Sequence, residues 1–243
     1  MKILRYIVLV TMLILPSNFS TALMIFLMVL TILFLGQYPF KYIFSIVLSG
    51  IIFASVFILL VKNYPDLLPN RVDTWSNRIE NYINPVSDES NYQINRAKAA
   101  IANGSLFGVG AGKSSMKYIL PQSTSDFIFS IITEEYGLLV ALLILLLYLI
   151  LLFRIIIISY KSSSNFGKLI ALSAGLPVVF QAFINMGVAV QLIPVTGQPL
   201  PLISMGGTSI WTTFLAFGIL LSVSSRNAIN ESEHKINDLK ING

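Results

Sequence analysis

Cysteine is absent from this 243-residue sequence, which removes disulfides, thiolate nucleophiles and cysteine-based metal sites together. Histidine is almost absent: the single one, His234, stands in a polar tail, so proton chemistry in the body of the chain falls to carboxylates. Charge is scarce as well. Only 11% of residues are charged against 55% hydrophobic, a balance unlike that of a soluble domain. The formal charge of +5 invites a nucleic-acid partner, but the basic residues sit at the edges of apolar runs and in one long loop instead of along a stripe. No nucleic acid is expected.

What the sequence does have is long apolar stretches, at residues 3–15, 21–35, 42–61, 127–153, 169–193 and 207–223. The last four are long enough to cross the hydrocarbon of a bilayer, which takes roughly 17 to 25 helical residues. The first two are short and read as membrane helices that are tilted, partly re-entrant or extended by their flanks. Lys2 and Arg5 before the first run, with Ser20-Thr21-Ala22 after it, imitate a cleavable secretory signal. Pro16-Ser17-Asn18 breaks the run and another apolar stretch follows at once, which favours two short membrane helices joined by a tight turn. The expected fold class is therefore an all-α polytopic membrane protein with about six transmembrane helices. A long loop, residues 62–126, and a loosely helical or disordered tail, residues 227–243, complete the expected organisation.

Basic residues assign the sides. Lys2, Arg5, Lys41, Arg154, Lys161, Lys168, Arg226, Lys235 and Lys240 fall on one side, while the turns at 16–20 and 194–206 carry no charge. By the positive-inside rule the basic side is cytoplasmic, so both termini are expected there and the 62–126 loop outside. Within that loop, Tyr92–Ala102 has the composition of a short helix ending at Gly104, followed by turn-forming glycines.

The glycine-rich stretch Gly108-Val109-Gly110-Ala111-Gly112-Lys113-Ser114 imitates a P-loop, but Phe107 stands where that motif needs its first glycine. A close-approach turn is the simpler reading; the functional one places its amides with Lys113 or Lys117 near a phosphate. Asp126 sits at the mouth of the 127–153 run, where helix capping is the ordinary role for aspartate. Its company strengthens a functional reading, because Glu134 and Glu135 follow roughly 12 Å deeper along the same helix. Carboxylates at that depth are costly and should be paired or line a polar cavity. The uncharged, proline- and glycine-dense Pro194–Pro201 turn, continuing through Ser204, Gly206 and Gly207, is irregular backbone that must be buried or line a water-filled wall.

These blocks, in this order, resemble the SEDS family (shape, elongation, division and sporulation), its cell-division members more closely than its elongation members. The matching residues are Asn18–Ala22, Arg71 and Arg78 leading to Pro85, Tyr92-Gln93, Gly104–Ser114, Leu120-Pro121, Thr124–Phe129, Glu134–Gly137, Asn185 and Pro194–Ser209. The resemblance implies a peptidoglycan glycosyltransferase that polymerises lipid II outside the cytoplasmic membrane, together with a class B penicillin-binding transpeptidase and other divisome proteins. It implies Asp126 as the catalytic residue. It also implies a ten-helix fold, of which this sequence corresponds to the C-terminal six spans. Gln122, Ser123 and Met116 depart from the family's usual residues, which leaves the accessory roles of those positions open.

Taken with that resemblance, glycosyl transfer from a polyprenyl diphosphate needs a base for the acceptor hydroxyl and cations for the departing diphosphate. Asp126 is the expected base. Arg71, Arg78, Gln93, Lys113, Lys117, Ser204, Gly206 and Gly207 are expected to contact diphosphate or glycan, with Glu134, Glu135 and Asn185 as intramembrane polar groups. No organic cofactor is expected; a divalent cation, Mg or Mn, bridging phosphate oxygens is compatible with the chemistry. Two other functions stay open: a lipid II flippase using the intramembrane glutamates, and a catalytically inactive divisome scaffold.

Overall fold

In the computed structural model the described residues are 9–15, 17–63, 89–120 and 123–241. Among them the chain is all-helical, with no β-strand. It divides into two compact units, Met1–Ser90 and Asn91–Gly243.

In the first unit, residues 9–14 are helical and precede α1 (Phe19–Leu35) and α2 (Phe40–Asn63). The break that Pro16-Ser17-Asn18 suggests is built by Asn18, whose Oδ1 accepts from the Thr21 amide at 3.1 Å and so caps α1. Gly36 ends α1, and the turn into α2 gathers Phe34 against Phe40, Tyr38 against Tyr42 and Lys41 over the Tyr42 ring. Aromatic rings beside a cation are typical of a helix end at the bilayer interface.

The second unit begins with α3 (Glu89–Gly104), continues through a short 3-10 turn (Met116–Tyr118), and is dominated by α4 (Ile128–Lys161), α5 (Asn165–Ala189) and α6 (Gly207–Ile241). The apolar stretches of α4, α5 and α6 are each long enough to cross a bilayer. The polytopic membrane architecture follows from these spans. Leu139, Leu143, Leu147 and Phe153 of α4 are exposed, as lipid-facing residues should be, while Ser130, Glu134, Ala141, Tyr148 and Ile155 form the inward stripe at helical spacing. On α5 the small residues Gly167, Ala171 and Gly175 recur every four positions and admit a close neighbour. At Gly175 an added methyl would lie 2.7 Å from Ile155, so α4 and α5 meet there with no room to spare. In the expected tail, residues 227–241 continue α6 as helix to Ile241. Few residues there oppose a helix, and the preceding span supplies the nucleus from which it propagates.

One feature of α4 departs from the single uninterrupted span over 127–153. Gly137 has φ 83° and ψ 177°, a conformation open to glycine alone, and α4 is two helices joined there. An unbroken helix would bond the Leu138 and Leu139 amides to the Glu134 and Glu135 carbonyls. Instead Leu138 N donates to Ser105 O (3.0 Å) and Leu139 N to Leu106 O (3.4 Å), while Glu134 O accepts from Val109 N (2.9 Å) and Glu135 O from Gly110 N (3.0 Å). The two helical bonds are exchanged for four bonds to the 105–110 segment. Gly108, with φ 80°, lies so close to the Glu135 carbonyl that an added Cβ would stand 2.2 Å from it. Of the glycines that imitate a phosphate loop, Gly108 is thus a close-approach residue docking on the α4 break, while an added Cβ at Gly112 meets nothing within 4 Å.

At Gly137 a Cβ would also fall 2.3 Å from Leu106 O. Gly137→Ala is therefore expected to destabilise the protein by about 3 kcal/mol through combined backbone strain and overpacking. Gly207→Ala, whose added Cβ meets nothing within 4 Å, is the matched control and is expected to stay within about 0.5 kcal/mol. Thermal unfolding of the two variants in detergent tests the contrast.

Candidate functional site

Asp126 lies in the Ser123–Phe127 turn that leads into α4, half-buried, with Phe127 behind it at 1% exposure. The helix N-cap is Phe127, and it makes no side-chain cap bond, so Asp126 stands one residue outside the capping position.

The turn is held from two directions. Asn185 of α5, 1% exposed, donates through Nδ2 both to Asp126 O (2.8 Å) and to Gln198 O (2.8 Å). Ser204 Oγ donates to Ser125 O (2.6 Å) and accepts from Leu200 N (2.7 Å), and Met205 N donates to Thr124 O (3.0 Å). Three consecutive carbonyls, from Thr124 to Asp126, are therefore bonded to groups from α5 and the 198–205 segment. That segment is itself secured: Gln181 Nε2 donates to Pro199 O at 3.0 Å, and Tyr148 OH donates to Pro201 O. Leu202, in the same turn, has φ 68°, a left-handed backbone that a branched residue holds only when its surroundings impose it. Two buried polar atoms near this core have no protein partner, Asn185 Oδ1 and Ser130 Oγ.

Glu134 is 1% exposed and is a structural latch. Its carboxylate accepts from Ser114 Oγ, from Ser115 Oγ (3.0 Å), from Met116 N (3.4 Å) and from Asn103 Nδ2 (3.5 Å). These bonds tie α3 and the 3-10 turn to α4 at the level of the Gly137 break. Satisfying a buried carboxylate with this many donors is what makes its burial tolerable. Ser123 Oγ, donating to Lys117 O at 2.9 Å, joins the latched turn to the Asp126 turn.

The structure brings together Asp126, Asn185 and Ser204. It also places Lys117 on the turn adjoining them, with its side chain exposed, and Lys113 exposed on the glycine loop. Gln93 is half-buried on α3, and Glu135 is half-buried beside Glu134. Gly206 accepts from Ile210 N and opens α6, and neither Gly206 nor Gly207 has a close neighbour that glycine alone would permit. Arg71 and Arg78 lie outside the described residues. Among the described residues no group of three acidic or histidine side chains is placed to hold a metal. Sequence reasoning passed over Asn103, Ser114, Ser115, Tyr148 and Gln181. Only Gln181 carried a signal, as a polar residue four positions before Asn185 in an apolar span.

The profile of the cell cycle protein family comprising FtsW, RodA and SpoVE matches residues 1–229. The chain is 39% identical over 196 residues to a probable peptidoglycan glycosyltransferase FtsW of Enterococcus hirae, covering 79% of this chain and 49% of the relative. It is 38% identical to the stage V sporulation protein E of Bacillus subtilis (73% and 47% covered), and 33% identical to a probable FtsW of Hydrogenovibrio crunogenus (95% and 58%). Among solved structures it is similar to a chain from work on the structural coordination of polymerization and crosslinking by a peptidoglycan synthase complex. That similarity has a TM-score of 0.62 at 25% identity and covers 88% of this chain and 58% of that one. The chain thus spans about half the length of the relatives it matches.

Ser204→Ala removes one hydroxyl that serves both Ser125 O and Leu200 N. Leaving those two buried groups without partners is expected to cost about 2 kcal/mol. Amide hydrogen exchange at Leu200 should accelerate in the variant while exchange at Met116, held by the separate Glu134 latch, stays unchanged.

Proposed function

Because the chain belongs to the FtsW/RodA/SpoVE family of cell cycle proteins, we propose that it acts as a peptidoglycan glycosyltransferase of the division type, extending glycan strands from lipid II. The observation that carries this reading is the Asp126 turn. A carboxylate stands at the start of a membrane helix on backbone fixed through its carbonyls by Asn185, Ser204 and Met205. A general base must be positioned before its basicity matters, and this is how a neutral scaffold positions one.

In the proposed reaction the Asp126 carboxylate accepts the proton of the acceptor sugar hydroxyl. The hydroxyl oxygen then bonds to the anomeric carbon of the lipid-linked sugar as the bond to the diphosphate breaks. Cations disperse the charge on the departing diphosphate; Lys117 and Lys113 are candidates among the described residues, with Arg71 and Arg78 proposed from sequence for their bidentate fit to phosphate. Gln93, Gly206 and Gly207 are proposed to border the glycan or diphosphate. A divalent cation, if it takes part, is held chiefly by phosphate oxygens, since the described residues supply no cage for it.

Orientation follows from the charge pattern: the basic ends face the cytoplasm and the Asp126 turn faces outward, in the cytoplasmic membrane. A class B penicillin-binding protein and other divisome proteins are the proposed partners. The chain is similar to a protein studied within a peptidoglycan synthase complex, which supports the first of these. Of the two glutamates on which the flippase reading rests, Glu134 is closed off by its serine and asparagine donors, which leaves that reading the half-buried Glu135 alone.

Asp126→Asn keeps the size of the side chain and removes its basicity. Lipid II polymerisation by the purified full chain with its transpeptidase is expected to fall by about 10²- to 10⁴-fold. The thermal midpoint should stay near the parental value. Polymerisation at the parental rate, or transbilayer movement of labelled lipid II without glycan extension, would refute the assignment.

A further inference from the structure

At the end of the second unit opposite the Asp126 turn, the α4–α5 turn and the C-terminal half of the α6 span enclose an open groove of about 840 Å³. One end of its lining is polar, with Ser162, Ser163 and Ser164 from the turn and Arg226 and Asn227 from α6. The rest is apolar, with Phe166 and Ile170 of α5 on one wall and Leu215 and Ile219 of α6 on the other. Gly218 lies between those α6 residues, and an added Cβ there meets nothing within 4 Å. The polar end is braced. Asn227 Nδ2 donates to Ile158 O at 3.0 Å, and Ser164 Oγ accepts from Gly167 N at 3.0 Å to cap α5.

Three features identify an occupant. The first is depth: Arg226 is about 28 Å along the helix axis from Gly207, one hydrocarbon thickness, so the polar end lies at the bilayer interface. The second is length: from Arg226 back to Leu215 is about 16 Å, close to the thickness of one leaflet. The third is charge. Lys161 and Lys168 flank the same end, and the sequence holds no carboxylate between Glu135 and Glu231. The basic residues Arg226, Lys161 and Lys168 at this end favour a headgroup of net negative charge over a zwitterionic one, with Arg226 and a hydroxyl donor beside it to meet the phosphate.

We propose that this groove holds one anionic glycerophospholipid, its phosphate against Arg226 and the Ser164 hydroxyl and one acyl chain along the Gly218 face of α6. The site is distinct from the Asp126 turn and does not depend on the reaction proposed for it.

Native mass spectrometry of the purified full chain, offered equimolar phosphatidylglycerol, phosphatidylcholine and undecaprenyl phosphate, tests the proposal. Phosphatidylglycerol is expected to be retained in preference to both others. Arg226→Gln should weaken that retention by about tenfold by removing the charge-assisted contact. Gly218→Leu should displace the lipid by filling the groove while keeping the thermal midpoint at or above the parental value, since leucine favours a helix over glycine. Equal retention of phosphatidylglycerol and phosphatidylcholine, preference for undecaprenyl phosphate, or retention that neither substitution alters would overturn it.

Discussion

Backbone that leaves the helical ladder inside a bilayer has no water to bond, so each departure must be satisfied by the protein itself. This chain departs twice in its second unit, at the Gly137 break of α4 and in the turn between α5 and α6, and both departures are answered by named partners. At Gly137 the 105–110 segment supplies and accepts the bonds the helix gives up. At the 194–206 turn, Gln181, Asn185, Tyr148 and Ser204 do the same for Pro199, Gln198, Pro201 and Leu200. The Asp126 turn lies between these two repairs. Its carbonyls are bonded to the second, and Ser123 links it to the turn latched by Glu134 beside the first.

That arrangement explains why Glu134 and Asp126, both carboxylates near one end of one helix, have different roles. Glu134 lies where donors converge from α3 and the 3-10 turn, and its burial is compensated by hydrogen bonds. At Asp126 the bonds from Asn185 and Ser204 grip the main-chain carbonyls of Asp126 and Ser125, which fixes where the residue stands through its backbone. Groups that share partners in this way should not contribute independently to stability, so paired substitutions across Asn185, Ser204 and the Asp126 turn are expected to be non-additive.

Local regularities made much of the fold legible. Apolar run length reports membrane helices because a bilayer imposes a minimum span, and helix α3 showed itself through its composition and terminal glycine. Glycine spacing was enough to reject a phosphate loop at residues 108–114, but not to reveal what those glycines do. Their partners are the Glu134 and Glu135 carbonyls, more than twenty residues away. The same limit hid the break at Gly137, since one glycine in an apolar run has no periodic signature. It also hid the role of Ser204, whose partner Ser125 lies 79 residues away in sequence. Asp126 and Asn185 stood out because polar groups are rare and costly in such spans. The serines that satisfy Glu134 did not, because serine in a loop is unremarked.

The two ends of the second unit solve opposite problems with the same three helices. At one end uncharged side chains satisfy irregular backbone, and the remaining polar chemistry is concentrated in a carboxylate. At the other the backbone stays helical up to a short serine turn, and basic residues stand beside an open apolar wall. Helix α5 contributes to both: Ser164 and Gly167 cap it at the basic end, and Gln181 and Asn185 project from its last turns into the opposite one. Between them Pro177 lacks the amide that would bond to the Ser173 carbonyl, so α5 is least constrained by its own ladder at mid-helix. Packing at Gly175 against Ile155 lies at the same level and restores the constraint from outside. The position of Asn185, and with it the Asp126 turn, therefore rests on the contact of α4 with α5 at Ile155 and Gly175 as well as on the hydrogen bonds around the turn.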